Sequence, residues 1–201
     1  SSHQFDEADR GFSIRFDAQL DMRMNQQDVL SAYSLVNTYE EEELKRVFWQ
    51  YGELRTSLAL AKTIVAARAE KAIETTFELK AVLNKYLPKG RENKILAQIY
   101  QAIRIEVNQE IEVLKEFLLQ TPDLLAAKGR LSVISYHSLE DRLVKNFIKK
   151  GKFTGELEKD FFGNQLRPFV EVTRKPLLAD KEELGRNTRS RSAKLRIAER
   201  N

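Results

Sequence analysis

The sequence predicts an α/β fold, with part of a sheet in the second half of the chain and an all-helical subdomain ahead of it. Three observations lead there. Apolar residues recur at helical spacing between residues 38 and 86, with no strand signal between them. A long apolar stripe at steps of three and four follows, and then the short run Leu131-Ser132-Val133-Ile134. Two alternating segments, Phe169-Val170-Glu171-Val172-Thr173 and Ala193-Lys194-Leu195-Arg196-Ile197-Ala198, close the pattern. Three strands are few for a free-standing sheet. The order therefore reads as the back of a larger sheet, interrupted by a helical insert.

Taken in order, residues 1–31 show little periodicity and read as a loop segment. Within it, Asp21-Met22-Arg23-Met24 is unusual: the two Met either pack the loop or flank a site residue. Residues 32–92 form the helical subdomain. Thr38 with Glu41 reads as a capping box for a first helix carrying Leu44, Val47, Phe48 and Tyr51, with Gly52 as its stop. Leu58, Ala61, Ile64 and Val65 continue a second helix. Thr75 with Glu78 caps a third, which Leu87-Pro88-Lys89-Gly90 breaks. Residues 93–201 hold the rest. Ile95, Ile99, Ile103, Val107, Ile111, Leu114 and Leu118 form one stripe and predict a single long helix, with Pro122 beyond its end. A strand at 131–136 and a helix capped by Ser138 and Asp141 come next.

Composition narrows the function classes. The 201-residue chain is 42% hydrophobic and 32% charged, enough to bury a core and stay soluble. It has no Cys, which excludes disulfides and thiolate metal sites; with only His3 and His137, no metal site is expected. No apolar run approaches a membrane span. The first residues are polar and acidic rather than signal-like, so a cytoplasmic location is expected. Net charge is only +4, but it is unevenly spread: the stretch from Gly185 to Arg196 is almost purely basic. Arg186, Arg189 and Arg191, with Ser and Asn between them, suit phosphate contact, or else a solvated tail.

The most informative segment is Ser135-Tyr136-His137-Ser138-Leu139-Glu140-Asp141-Arg142. It stands where a buried strand ends and a helix begins, the position at which open α/β sheets bind ligands. His137, Glu140 and Asp141 can bind a nucleotide or take up a proton. Alternatively, Ser138 and Asp141 merely cap the helix while Glu140 and Arg142 pair on its surface. Adjacent carboxylates point to different helix faces, so Glu140 and Asp141 make a poor hydrolytic dyad. On the long helix, Arg104 and Asn108 share a face and either line a cleft or are exposed polar groups.

Four segments together resemble one family: Gly11-Phe12-Ser13 with Leu20-Asp21-Met22-Arg23-Met24; Gln101-Ala102-Ile103-Arg104-Ile105-Glu106-Val107-Asn108; the octapeptide with Val133-Ile134 before it; and Arg191-Ser192-Ala193-Lys194-Leu195-Arg196. They look like the bacterial 16S rRNA cytosine-N4 methyltransferases, the ribosomal small-subunit methyltransferase H family. The resemblance implies a Rossmann-like class I methyltransferase sheet with a helical insert. It implies S-adenosyl-L-methionine as cofactor and 16S rRNA of the small ribosomal subunit as partner; it leaves a homodimer open. By that resemblance, Gln4 contacts the cofactor and Ser1 and Ser2 lie where the target amine would sit. A cytosine amine is a poor nucleophile, and an acceptor on its N–H helps to localise the lone pair. His137 is expected at the target cytidine, and Asp21, Arg23, Arg104, Asn108, Arg186, Arg189 and Arg191 on the RNA.

The family pattern also includes a glycine-rich cofactor loop, whereas the eight glycines of this chain are all isolated. The sequence therefore reads as the C-terminal two-thirds of such an enzyme, inactive alone. Two rival readings stay open: a non-catalytic RNA-binding or ribosome-associated module, and a hydrolase using His137 with Ser138 or Asp141.

Overall fold

The structure, a computed structural model, describes residues 8–201. The chain divides into two compact units, Ser1–Glu110 and Ile111–Asn201.

The first unit is helical. α1 (Ala32–Thr38), α2 (Glu41–Gln50), α3 (Ser57–Glu70), α4 (Thr76–Leu83) and α5 (Glu92–Val107) follow one another with short connections. Their inward faces supply one core, in which Leu35, Leu44, Phe48, Leu60, Ile64, Leu79, Leu83 and Ile99 are fully buried. The loop before α1 is fastened to this core by Phe12, Leu20 and Met22. It is also fastened by backbone bonds: Leu20 N–H donates to the Glu74 carbonyl (3.0 Å) and Thr76 N–H to that of Ala18 (2.9 Å).

One expected cap moves, and α1, for which no cap is expected, precedes it. Ser31 and Ser34 form the box that starts α1, and Glu40 with Glu43 starts α2. Thr38 lies in the last turn of α1, where its Oγ1 donates to the Ser34 carbonyl instead. The Thr75–Glu78 box stands as expected.

The single long helix is in fact two. α5 ends at Val107, and α6 runs from Glu110 to Leu124. The apolar stripe continues across the break, so periodicity alone could not reveal it. The cause is local: the Asn108 side chain bonds to backbone groups, and Gln109 takes a left-handed conformation (φ 50°). Pro122, expected beyond the helix, lies inside α6. Proline has no N–H to give to the Leu118 carbonyl, and Thr121 Oγ1 donates there instead (2.7 Å).

The second unit carries the sheet. β1 (Arg130–Ser135) leads to α7 (Ser138–Lys150), then come β2 (Phe169–Glu171), β3 (Leu177–Leu178), a short helix α8 (Lys181–Arg186) and β4 (Lys194–Arg200). The last strand is central, pairing antiparallel with β1 from Arg130↔Glu199 to Ser135↔Lys194, and also with β2 and β3. Mixed helices and an antiparallel sheet are thus what the chain forms. Since β1 and β2 both run against β4, they run parallel to each other, with α7 as the crossover between them. Val144, Phe147 and Ile148 of α7 pack against Leu131, Phe169 and Ala198 of the sheet. This packing places the start of α7, and hence the octapeptide, at the carboxyl end of β1.

Candidate functional site

After β1 the chain bends at Tyr136 and His137, and His137, itself in an extended conformation (φ −136°, ψ 166°), is the N-cap of α7. This corrects the expected Ser138–Asp141 box by one residue. His137 Nδ1 accepts from the Glu140 N–H (3.4 Å), and Glu140 Oε2 accepts from the N–H of Tyr136 (2.8 Å) and of His137 (3.3 Å). Burial pushes the Glu140 carboxyl up, but the neighbouring His137 and these amides outweigh it, so its pKa is lowered. Glu140 therefore does not pair along the helix surface with Arg142.

Because Nδ1 accepts, a neutral His137 carries its proton on Nε2. That nitrogen is buried and has no hydrogen-bond partner among the described residues. Glu140 Oε1 stands 3.3 Å from it but is off the N–H axis. Buried polar groups are nearly always paired, so a buried donor without an acceptor calls for an explanation.

Asp141 faces the sheet. Arg196 Nε and Nη2 hold its two oxygens at 2.7 and 3.2 Å, and Lys194 Nζ stands at 3.4 Å. Burial raises the Asp141 pKa, but the Arg196 guanidinium and the Lys194 ammonium together outweigh it, so the net direction is down. The two adjacent carboxylates diverge as expected, one capping the helix and one pinning β4. With Asp141 held in a bidentate pair, the hydrolase reading loses its acidic member. Sequence reasoning missed Lys194 and Arg196 as anchors. The signal was there: they alternate in register with Ala198, so they face the same side of β4 as a core residue.

In the helical unit, residues 21–24 and the end of α5 meet. Asn108 Nδ2 donates to the carbonyls of Met22 and Arg104, both at 2.8 Å, and its Oδ1 accepts from Met24 N–H at 2.6 Å. Met22 is fully buried and left-handed (φ 56°), while Met24 is exposed; of the two Met, one packs the loop. Arg23 Nε bonds Asp21 Oδ1 at 2.5 Å, and Nη1 bonds the Asp28 carbonyl at 2.9 Å. Arg104 forms a fork with Glu110, at 2.7 and 3.0 Å. Gly11 (φ 70°) allows the close approach to this loop: a Cβ there would stand 2.4 Å from the Gln19 carbonyl oxygen. Asp21, Arg23, Arg104 and Asn108 are therefore one connected set, each already bonded within it.

Arg186, Arg189 and Arg191 are all exposed, on α8 and the following 3-10 turn Thr188–Ser192. Arg186 pairs with Glu182 at 3.1 Å on the surface, a contact of little energy. Ser190 between them is buried, its Oγ bonded to the Asn187 carbonyl at 2.6 Å, which anchors the turn. Ser1, Ser2 and Gln4 lie outside the described residues.

With this geometry in view, the comparisons are informative. The family model described as "MraW methylase family" matches residues 1–201. A Christiangramia forsetii protein named ribosomal RNA small subunit methyltransferase H is 63% identical over 198 residues, covering 98% of this chain and 65% of that protein. Proteins of the same name from Flavobacterium johnsoniae and Bacteroides fragilis are 62% and 53% identical over 200 residues, covering all of this chain and 66% of each of theirs. The chain thus spans about two-thirds of the length of the curated relatives it matches. The octapeptide at the end of β1, the loop tied by Asn108 and the basic turn before β4 all fall within the matched span, and the chain belongs to the MraW methylase family.

Proposed function

We propose that the protein carrying this chain transfers a methyl group from S-adenosyl-L-methionine to the N4 amine of a cytidine in 16S rRNA. This chain would supply the target-base and RNA side of that reaction. The observation that carries the reading is His137: a buried ring nitrogen with no hydrogen bond among the described residues, at the carboxyl end of a strand, in a member of this family. Relatives more than 60% identical bear the name of an rRNA methyltransferase.

The class I sheet is part of the proposal. A parallel β1–α7–β2 crossover with a last strand inserted antiparallel fits the end of a doubly wound sheet, whose ligands sit beyond the strand ends. S-adenosylmethionine, when bound, supplies an electrophilic methyl group. Among the described residues none forms a glycine-rich cradle for it, and only Gln4, outside them, is assigned to it. The roles of the described residues are on the acceptor side.

His137 acts there as a donor. With the proton on Nε2, it can hold an acceptor of the cytosine edge and so orient the amine; Nδ1 is engaged by the Glu140 amide. Glu140 and the extended backbone fix the ring, and Asp141 with Arg196 fixes α7 against β4. Ser1 and Ser2 are proposed at the target amine. The proposed RNA contacts are Asp21, Arg23, Arg104 and Asn108, together with Arg186, Arg189 and Arg191. The cytoplasm is the proposed setting.

The test is methyl transfer to 16S rRNA by the complete protein and by its His137→Ala and His137→Gln variants. Loss of turnover in His137→Ala is expected, far beyond the few degrees of melting temperature that losing an N-cap side chain costs, with partial rescue by Gln, which keeps a donor. Transfer unaffected by either variant would remove His137 from the site. Absence of transfer by the wild-type protein would remove the proposed function.

A further inference from the structure

Between α7 and β2 the chain makes a tight turn tipped by two phenylalanines. Phe161 is 98% exposed and Phe162 85%. Phenylalanine is among the side chains that gain most from leaving water, so two adjacent rings held in solvent are unusual.

The turn does not present them by default of structure. Asp160 N–H donates to the Asn164 carbonyl (2.9 Å) and Gly163 N–H to that of Asp160 (3.0 Å). Asp160 Oδ1 accepts from the amides of Phe162 (2.9 Å) and Asn164 (2.8 Å), and its Oδ2 from Asn164 Nδ2 (2.8 Å). Lys159 and Gln165 pair across the base of the turn. Gly163 has φ 86°, a conformation that other residues adopt only with strain. The rings meet edge to face, with centroids 5.7 Å apart at 86°. The tip is thus pre-organised, so binding to it costs little ordering entropy.

Its surroundings select the ligand. Lys159, Asn164 and Gln165 beside the rings are exposed and polar, whereas Lys149 and Lys152 before the turn are paired with Glu171 and Glu158. A protein interface asks for a broader contiguous apolar patch. Two rings on a polar stalk, with Lys159 beside them, suit bases stacked one by one.

We propose that Phe161 and Phe162 form a finger that stacks on unpaired bases of the RNA substrate. This rests on the proposed function for its RNA, and adds to it a contact that neither the sequence motifs nor the β1 site includes.

The complete protein is titrated with 16S rRNA and with a short unstructured oligoribonucleotide, comparing wild type with Phe161/Phe162 double variants to Ala, Leu and Tyr. Base–aromatic stacking is strong enough for the Ala variant to bind about tenfold to a hundredfold more weakly. Its salt dependence should not change, since no phosphate contact is lost. Tyr should bind like wild type, and Leu like Ala, because stacking needs a π-face. The rings are exposed, so thermal unfolding should stay in place for all three. Wild-type affinity in the Ala variant would overturn the finger. Wild-type affinity in the Leu variant would overturn stacking in favour of a simple apolar contact, as with a protein. Wild-type protein that binds no RNA would overturn the proposed function, and this inference with it.

Discussion

Replacing Asn108 by Ala tests how the loop at residues 21–24 is held. The side chain makes three hydrogen bonds, to the Met22 and Arg104 carbonyls and from the Met24 amide, all between 2.6 and 2.8 Å. Each is worth about 1 kcal/mol net, and more where a buried partner is left unpaired, as the fully buried Met22 would be. The left-handed Met22 and Gln109 would also lose the side chain that fastens them, although each such non-glycine residue costs about 1–2 kcal/mol to hold. A destabilisation of about 2–4 kcal/mol follows, or roughly 5–10 °C in melting temperature for a chain of this size. Thermal unfolding followed by circular dichroism reads it. Asn108→Asp keeps the acceptor for Met24 but sets a carboxylate against two carbonyls, so it should cost as much as Ala. Gln109→Gly should stabilise, by about 1 kcal/mol, by relieving the left-handed residue. A shift below about 1 °C for Asn108→Ala would show that the loop is held by other means and that Asn108 is an ordinary surface residue.

Three further outcomes are expected. Asp141→Asn leaves the largely buried Arg196 guanidinium without its counter-charge, at a cost of about 3 kcal/mol near neutral pH. Asp141 and Glu140 both have lowered pKa values in the folded chain. The stability they contribute is therefore present above their unfolded values, about pH 4, and is lost as pH falls through the folded ones. Urea midpoints between pH 3 and 6 should show a shallower acid limb in Asp141→Asn, and an unchanged limb would rule out the pair as its source. Changing Arg186, Arg189 and Arg191 together to Ala in the complete protein should weaken 16S rRNA binding and flatten its salt slope; an unaltered slope would return the turn to plain solvated surface. Residues 1–201 alone are expected not to bind S-adenosylmethionine at micromolar concentration in calorimetry, since the sequence contains no G-x-G for a backbone cradle. Micromolar binding would place the cofactor site within this chain.

The elements set by long-range burial were legible. Alternation placed β2 and β4 within a few residues, and helical spacing found Leu44, Val47 and Phe48 on the inner face of α2. What periodicity could not show was decided by single side chains. The α5–α6 break interrupts no apolar stripe, and only Asn108 bonding to backbone marks it. Pro122 reads as a stop unless Thr121 is seen to take the orphaned carbonyl. The caps of α2 and α7 fell two residues and one residue from their expected places, because Ser, Thr, Asp and Glu are frequent enough near helix starts to offer several boxes. In the octapeptide, the sequence supplied the residue types and the divergence of the two carboxylates. That Asp141 turns to Arg196 depends on β4, more than fifty residues away, and no local pattern carries that pairing. The same holds for Asp21, Arg23, Arg104 and Asn108. Their polarity marked them, but their mutual bonding is a product of how the loop packs on the helices.

The most direct measurement gives the complete protein a deuterated methyl donor and 16S rRNA, digests the RNA to nucleosides and separates the methylated products by chromatography and mass spectrometry. Label is expected in N4-methylcytidine, and it should disappear with His137→Ala while the protein stays folded. Label at a ring carbon of cytidine, in another nucleoside, or nowhere in the RNA would contradict the reading.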